Sequence, residues 1–278
     1  MFNKIQKSIG FSFILTGFLL LSTESAVSQQ VNHHERAKRF LDESGMMHQL
    51  REIPHIIMGQ FEEEGSKFDM ETRQKIAATL TSAFEEEKLV DDAISYLLND
   101  IEAGHIQTVM DWLEHPLTQR MNELEIISNS DSLESSRYDY FENIENNLPD
   151  QSRIDMILEF DELTNATDNT VYFIADLYLA MVTAMNPYVP TAEKVSMEDI
   201  PIVRGLIIRE MHESYKNVTI GMNLFTYRTV TDPDLLAYFD FYRTPAGSWF
   251  SDVSYGVFEN VLKKATSRVR EINGYDNE

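Results

Sequence analysis

Two aspartates are the best-placed residues for chemistry. Asp111 and Asp240 each stand five residues ahead of a proline, Pro116 and Pro245, inside apolar helix-forming sequence. Two carboxylates held about 5–10 Å apart can hydrolyse a glycosidic bond, one acting as acid and the other as base or nucleophile. Asp240 opens the run Asp240-Phe241-Tyr242-Arg243-Thr244-Pro245-Ala246-Gly247. There Tyr242 offers a phenol and Arg243 a fixed cation. The same residues also make a helix corner. A helix carrying Leu235, Leu236, Phe239 and Tyr242 ends near Arg243. Thr244 then caps the next helix through its hydroxyl, and Pro245 takes the first helical position, where no N–H is needed. Gly247 leaves room for close backbone approach. The corner is sufficiently explained without a ligand, so Tyr242, Arg243, Pro245, Gly247, Asp111 and Asp240 are candidates for a structural corner or a binding site. No catalytic residue is assigned.

Other chemistry is sparse. The chain has no cysteine, which removes disulfides, thiolate metal sites and cysteine nucleophiles. Its seven histidines do not fall into a His-Glu-x-x-His order. His33 and His34 lie near the expected mature end, and His48 and His55 share a helix face without a metal-binding pattern around them. Glu62–Glu64 and Glu85–Glu87 are consecutive, so they point in different directions around a helix. A nucleophile elbow, a phosphate loop and a dinucleotide fingerprint are all missing. No metal and no cofactor is expected.

The elements that must position these residues are helices. Apolar residues recur at three and four: Ile76, Leu80 and Phe84; Leu89, Ala93, Leu97 and Ile101; Val203, Ile207, Met211 and Tyr215. The longest stripe is Phe250, Val253, Val257, Val261, Ala265, Val269 and Ile272. That spacing predicts amphipathic helices with one buried face, and an all-α fold of short-loop bundles. Gly45 is placed to end a helix, Pro54 to start or kink one, and Asn186-Pro187 and Val189-Pro190 to mark a loop.

The two proline corners set a register between two halves of the chain. With Pro116 on Pro245, Ile106 falls on Leu235, Val109 on Tyr238, Met110 on Phe239, Trp112 on Phe241 and Leu124 on Val253. Leu41-Asp42-Glu43 also matches Phe160-Asp161-Glu162, at a slightly different offset that the proline-bearing loop near 186–199 absorbs. The expectation is an internal duplication, with a first helical repeat over 29–130, a linker over 131–152 and a second repeat over 153–278.

The start of the chain reads as an address. Lys4 and Lys7 precede an apolar run from Ile9 to Leu21, and Ser25-Ala26-Val27-Ser28 supplies small residues for cleavage. This is the pattern of a secretory signal peptide over 1–28, cut after Ser28, with Ala26 the alternative. The run is shorter than the roughly 20 residues a spanning helix needs, and no later stretch is as apolar. The expected location is therefore a bacterial periplasm or exterior. The formal net charge is -23, which disfavours nucleic acid and anionic membrane surfaces as partners.

The stretch from Leu235 through Phe250 resembles the exported bacterial family known as domain of unknown function 2059. Its Phe-Tyr-x-Thr-Pro-x-Gly corner is followed by a long final helix. Leu148-Pro149-Asp150-Gln151-Ser152-Arg153-Ile154 looks like the junction between tandem copies in that family. The likeness is strong in the second half. It is degenerate in the first, where Leu113, Glu114, His115 and Thr118 replace the second copy's Tyr, Arg, Thr and Gly. The resemblance implies an all-helical exported protein and carries no reaction with it. The function expected first is a non-catalytic module for an envelope protein or a small apolar ligand, with Met181, Met185, Met211 and Met222 available to line a groove. An assembly role comes next, then an envelope-polymer hydrolase using Asp111 and Asp240.

Overall fold

The computed structural model describes residues 29–100, 105–144 and 148–275, and among them every regular element is helical. The α-helices are α1 (Gln29–Glu43), α2 (Met46–Glu64), α3 (Met70–Ala83), α4 (Glu86–Asp100), α5 (Ile106–Leu113) and α6 (Pro116–Asn129). They continue as α7 (Glu134–Glu142), α8 (Gln151–Thr164), α9 (Ala166–Met185), α10 (Ile200–Thr226), α11 (Asp232–Tyr242) and α12 (Pro245–Asn273). The expected signal segment over 1–28, and Ile101 of the second stripe, lie outside the described residues.

The helix ends follow local chemistry. Gly45, between α1 and α2, has φ 75°, and Asn165, between α8 and α9, has φ 50°. A left-handed residue reverses the chain at low cost when it is glycine or asparagine. Asp69 caps α3 by accepting the Thr72 N–H at 2.9 Å, and Thr231 caps α11 by accepting from Asp234 at 3.3 Å. Pro54 neither starts nor ends a helix but lies inside α2, where it removes one N–H from the ladder. The Asn186-Pro187 and Val189-Pro190 breaks become two short 3-10 turns over 186–188 and 191–193.

The predicted stripes are largely the buried faces. Ile76, Leu80, Leu89, Ala93, Leu97, Ile207, Met211 and Tyr215 are buried, and so is the α12 series from Phe250 to Val269. Ile272 is half exposed, so that stripe ends one turn before the helix does. Met181, Met185 and Met211 are core side chains rather than the lining of a groove, and Met222 is half-buried. Methionine fills irregular space between helices that cross at different angles.

The two halves are interleaved. α12 lies along α9 and α11, and equally along α3, α4 and α5. α6 leaves its own half to pack on α10 and α11. Buried apolar residues from α1 through α12 consequently form one cluster, continuous across the polar stretch at 131–152. That stretch carries a 3-10 turn and α7. Charged groups reinforce the interleaving. Arg268 of α12 donates to the Ala83 carbonyl at 2.8 Å and to Asp92 of α4 at 2.6 Å, with Lys264 at 3.2 Å from the same carboxylate.

Candidate functional site

The second corner is built as its residues dictate. α11 ends at Tyr242, Thr244 accepts the Gly247 N–H at 3.1 Å, and Pro245 opens α12. A Cβ on Gly247 would collide with the Phe241 carbonyl oxygen, so no side chain fits there. Arg243 lies on the surface. It donates to Glu159 of α8 at 2.8 and 3.1 Å and to Asp240 one turn back. Tyr242 points inward and is buried. At the first corner His115 takes the capping role, its Nδ1 accepting the Leu117 N–H at 3.2 Å. Asp111 is exposed and accepts from Gln107 at 2.8 Å. Asp111 and Asp240 are thus each engaged within their own helix and share no hydrogen-bond partner among the described residues.

Trp112 and Phe241, matched by the proline register, stack face to face, their centroids 4.0 Å apart at 8°. One further pair of contacts in the same register is reciprocal. Arg120 of α6 donates to Asp234 of α11 at 3.1 Å, while Trp249 of α12 lies against His105 at 6.0 Å. In the proline register Arg120 falls on Trp249 and His105 on Asp234. Arg120 thus meets Asp234 where the residues aligned with them, Trp249 and His105, meet each other.

Beneath this junction sits a group that sequence reasoning missed. Glu125 of α6 is buried and accepts from the Tyr227 hydroxyl at 2.5 Å and the Tyr238 hydroxyl at 3.2 Å. Tyr242 is the third phenol of the cluster. Burial, and then the Glu125 charge, push all three phenols well above their ordinary pKa, since a second anion there would be both desolvated and repelled. The surrounding wall is aromatic: Phe160 stacks on Phe239 at 4.0 Å and 6°, and Tyr238 lies on Trp112 at 5.4 Å. Arg153, in the first turn of α8, is buried just beyond. It donates to Asp232 at 2.6 Å and to the Tyr227 and Val230 carbonyls at 2.5 and 3.0 Å, fixing the loop between α10 and α11. One signal for Glu125 does exist in the sequence. Thr118, Met121, Asn122, Glu125 and Ser128 repeat at helical spacing, but a buried face that is mostly polar is invisible to a search for apolar stripes.

Two further polar groups stand apart from the junction. Asp161 is buried and accepts the Thr167 N–H and hydroxyl at 2.9 and 2.8 Å; burial raises its pKa, and the Thr167 hydrogen bonds oppose that. Between α9 and α12 a shallow depression is lined by Phe173, Asp176, Tyr255 and Glu259. Its Asp176 holds Arg204 of α10 through two hydrogen bonds of 2.5 and 3.0 Å. The described residues contain no group of three or more His, Asp or Glu side chains placed to hold a metal ion. None of the described helices is long and apolar enough to cross a membrane.

Comparison with family models, curated proteins and solved structures returns no significant match.

Proposed function

We propose that this chain is an exported, non-catalytic helical interaction module made of two copies of one helical unit; its resemblance to domain of unknown function 2059 supports the export and the tandem copies. The corner supports the non-catalytic part. Its reactive-looking residues are each used in building the fold. Tyr242 fills the core, Arg243 bridges to α8, and Gly247 lies under a carbonyl. The observation that carries the interaction part is on α10. Ile202 is 62 % exposed and Leu206 43 % exposed, one turn apart, with Gly205 between them and open space above it. Two large aliphatic side chains exposed on one face of the largely apolar start of α10 make a small adhesive strip for a protein partner or an apolar ligand.

The duplication is supported by element order. α1, a left-handed residue and α2 correspond to α8, a left-handed residue and α9; α5, a proline corner and α6 correspond to α11, a proline corner and α12. The reciprocal contacts at the junction are what a local two-fold relation between copies generates. Export is supported by the basic, apolar and small-residue pattern of 1–28.

Two experiments test these claims. In a bacterial host, fractionation and N-terminal mass mapping should find a periplasmic or secreted chain beginning at Gln29; a chain keeping Met1–Ser28 in the membrane overturns the export claim. Envelope extract should be passed over immobilised wild type and over an I202E/L206E variant. Specific retention lost in the variant is expected, and identical retention on both removes α10 as the contact.

A further inference from the structure

We propose that α6 and α7 form a strap that lifts from the body of the molecule ahead of global unfolding, uncovering the Glu125–tyrosine cluster. The strap requires neither export nor duplication, because it follows from what each helix buries.

The buried residues of α6 are Thr118, Met121, Asn122, Glu125 and Ser128, so Met121 is its one fully buried hydrophobe. Thr118 Oγ1 and Asn122 Oδ1, and Thr226 Oγ1 at the end of the neighbouring α10, are buried with no hydrogen-bond partner among the described residues. A polar atom in that condition gains water when the helix lifts, so opening recovers solvation that the closed state forgoes. Glu125 is the closed state's polar tie, and on opening it exchanges its two phenol donors for water. α7 has no buried residue of its own. Arg137 ties it to the end of α6, donating to the Ser128 and Ser130 carbonyls at 2.7 and 2.8 Å, so the two helices move together. Its grip on the body is aromatic and small: Phe141 sits over Gly221, and Tyr140 packs edge-on against Phe225 at 5.4 Å. The extended backbone at His115, between α5 and α6, is the natural hinge.

α12 is the contrast. It also packs across to the other half, but what it buries is Phe250, Val253, Val257, Phe258, Val261, Leu262, Ala265 and Val269, with Ser251 its sole buried polar side chain. Lifting α12 would let water reach its own unpartnered polar atoms, Ser251 Oγ and Asn260 Oδ1 among them, but it would also put that long apolar face in water, which costs far more than those atoms regain. Local opening is therefore directed to the polar seam.

Hydrogen exchange read by mass spectrometry on the full chain tests this directly. Amides within 118–143 should exchange through a sub-global opening, with protection at least about tenfold below that of amides within 253–265. Equal protection, with equal denaturant dependence, in both segments overturns the strap. A T118V/T226V variant removes two of the unpartnered hydroxyls while keeping their volume. It should raise α6 protection by roughly tenfold or more and leave α12 unchanged. A folded variant whose α6 protection is unchanged or lower also overturns it.

Discussion

Glu125 shows how one side chain can hold a junction without announcing itself. Tyr227 gives it the shorter hydrogen bond, so Tyr227→Phe leaves a buried carboxylate short of its better donor. The expected loss is about 1.5–3 kcal/mol by urea unfolding, as for hydrogen bonds to charged groups. Tyr238→Phe, at the longer distance, should lose less; an equal loss would show that the phenols act as one network. Asp161 makes a pH-dependent prediction. Its folded pKa is raised above the ordinary 3.8, so the native state binds this proton more tightly than the unfolded chain does. The contribution is most favourable below the unfolded pKa and is lost as pH rises through the folded one. Asp161→Asn, which keeps an acceptor for Thr167 without the charge, should therefore gain most over wild type at neutral pH. That gain should vanish below about pH 4, as followed by thermal melts across pH. A gain that grows towards low pH refutes the burial argument. Of these residues the sequence singled out Tyr242, Arg243, Pro245 and Gly247, because a proline corner has local rules. It could not single out Glu125 or Arg153, whose partners lie 102 and 79 residues away.

Among the elements, the left-handed reversals and the corners are the sensitive points. Asn165 holds φ 50°, so Asn165→Gly should stabilise modestly and Asn165→Ala destabilise by about 1 kcal/mol, because a Cβ is disfavoured there. At the second corner, Gly247→Ala forces a Cβ against the Phe241 carbonyl and should cost about 1–3 kcal/mol. Replacement of Thr244 by alanine should cost about 1 kcal/mol through the lost cap. Calorimetry on the set would rank them, and a neutral Gly247→Ala would mean that the corner relaxes freely. The helices themselves were legible because their stripes are apolar and regular, from Ile76–Leu80 through Phe250–Val269. Two features were less so. Pro54 lies mid-helix, where tertiary packing outweighs the missing N–H. α7, with no buried face, has no periodicity to detect and reads as linker.

For the whole molecule, the continuous core predicts one cooperative unfolding event. Trp112 at the junction and Trp249 at the start of α12 are the chain's two tryptophans. Their fluorescence and the far-UV circular dichroism signal should share one midpoint. Two separated midpoints would mean that the halves unfold independently despite sharing a core. The exchange of last helices between halves also bears on biosynthesis. A chain that emerges N-terminus first presents α3, α4 and α5 long before residue 245 appears, and their apolar faces stay uncovered until α12 arrives to seal them. The first half therefore cannot close while the second is still being made. A chain that stays open until its last helix is delivered keeps apolar surface in water throughout its synthesis, which is the condition that a holding chaperone relieves.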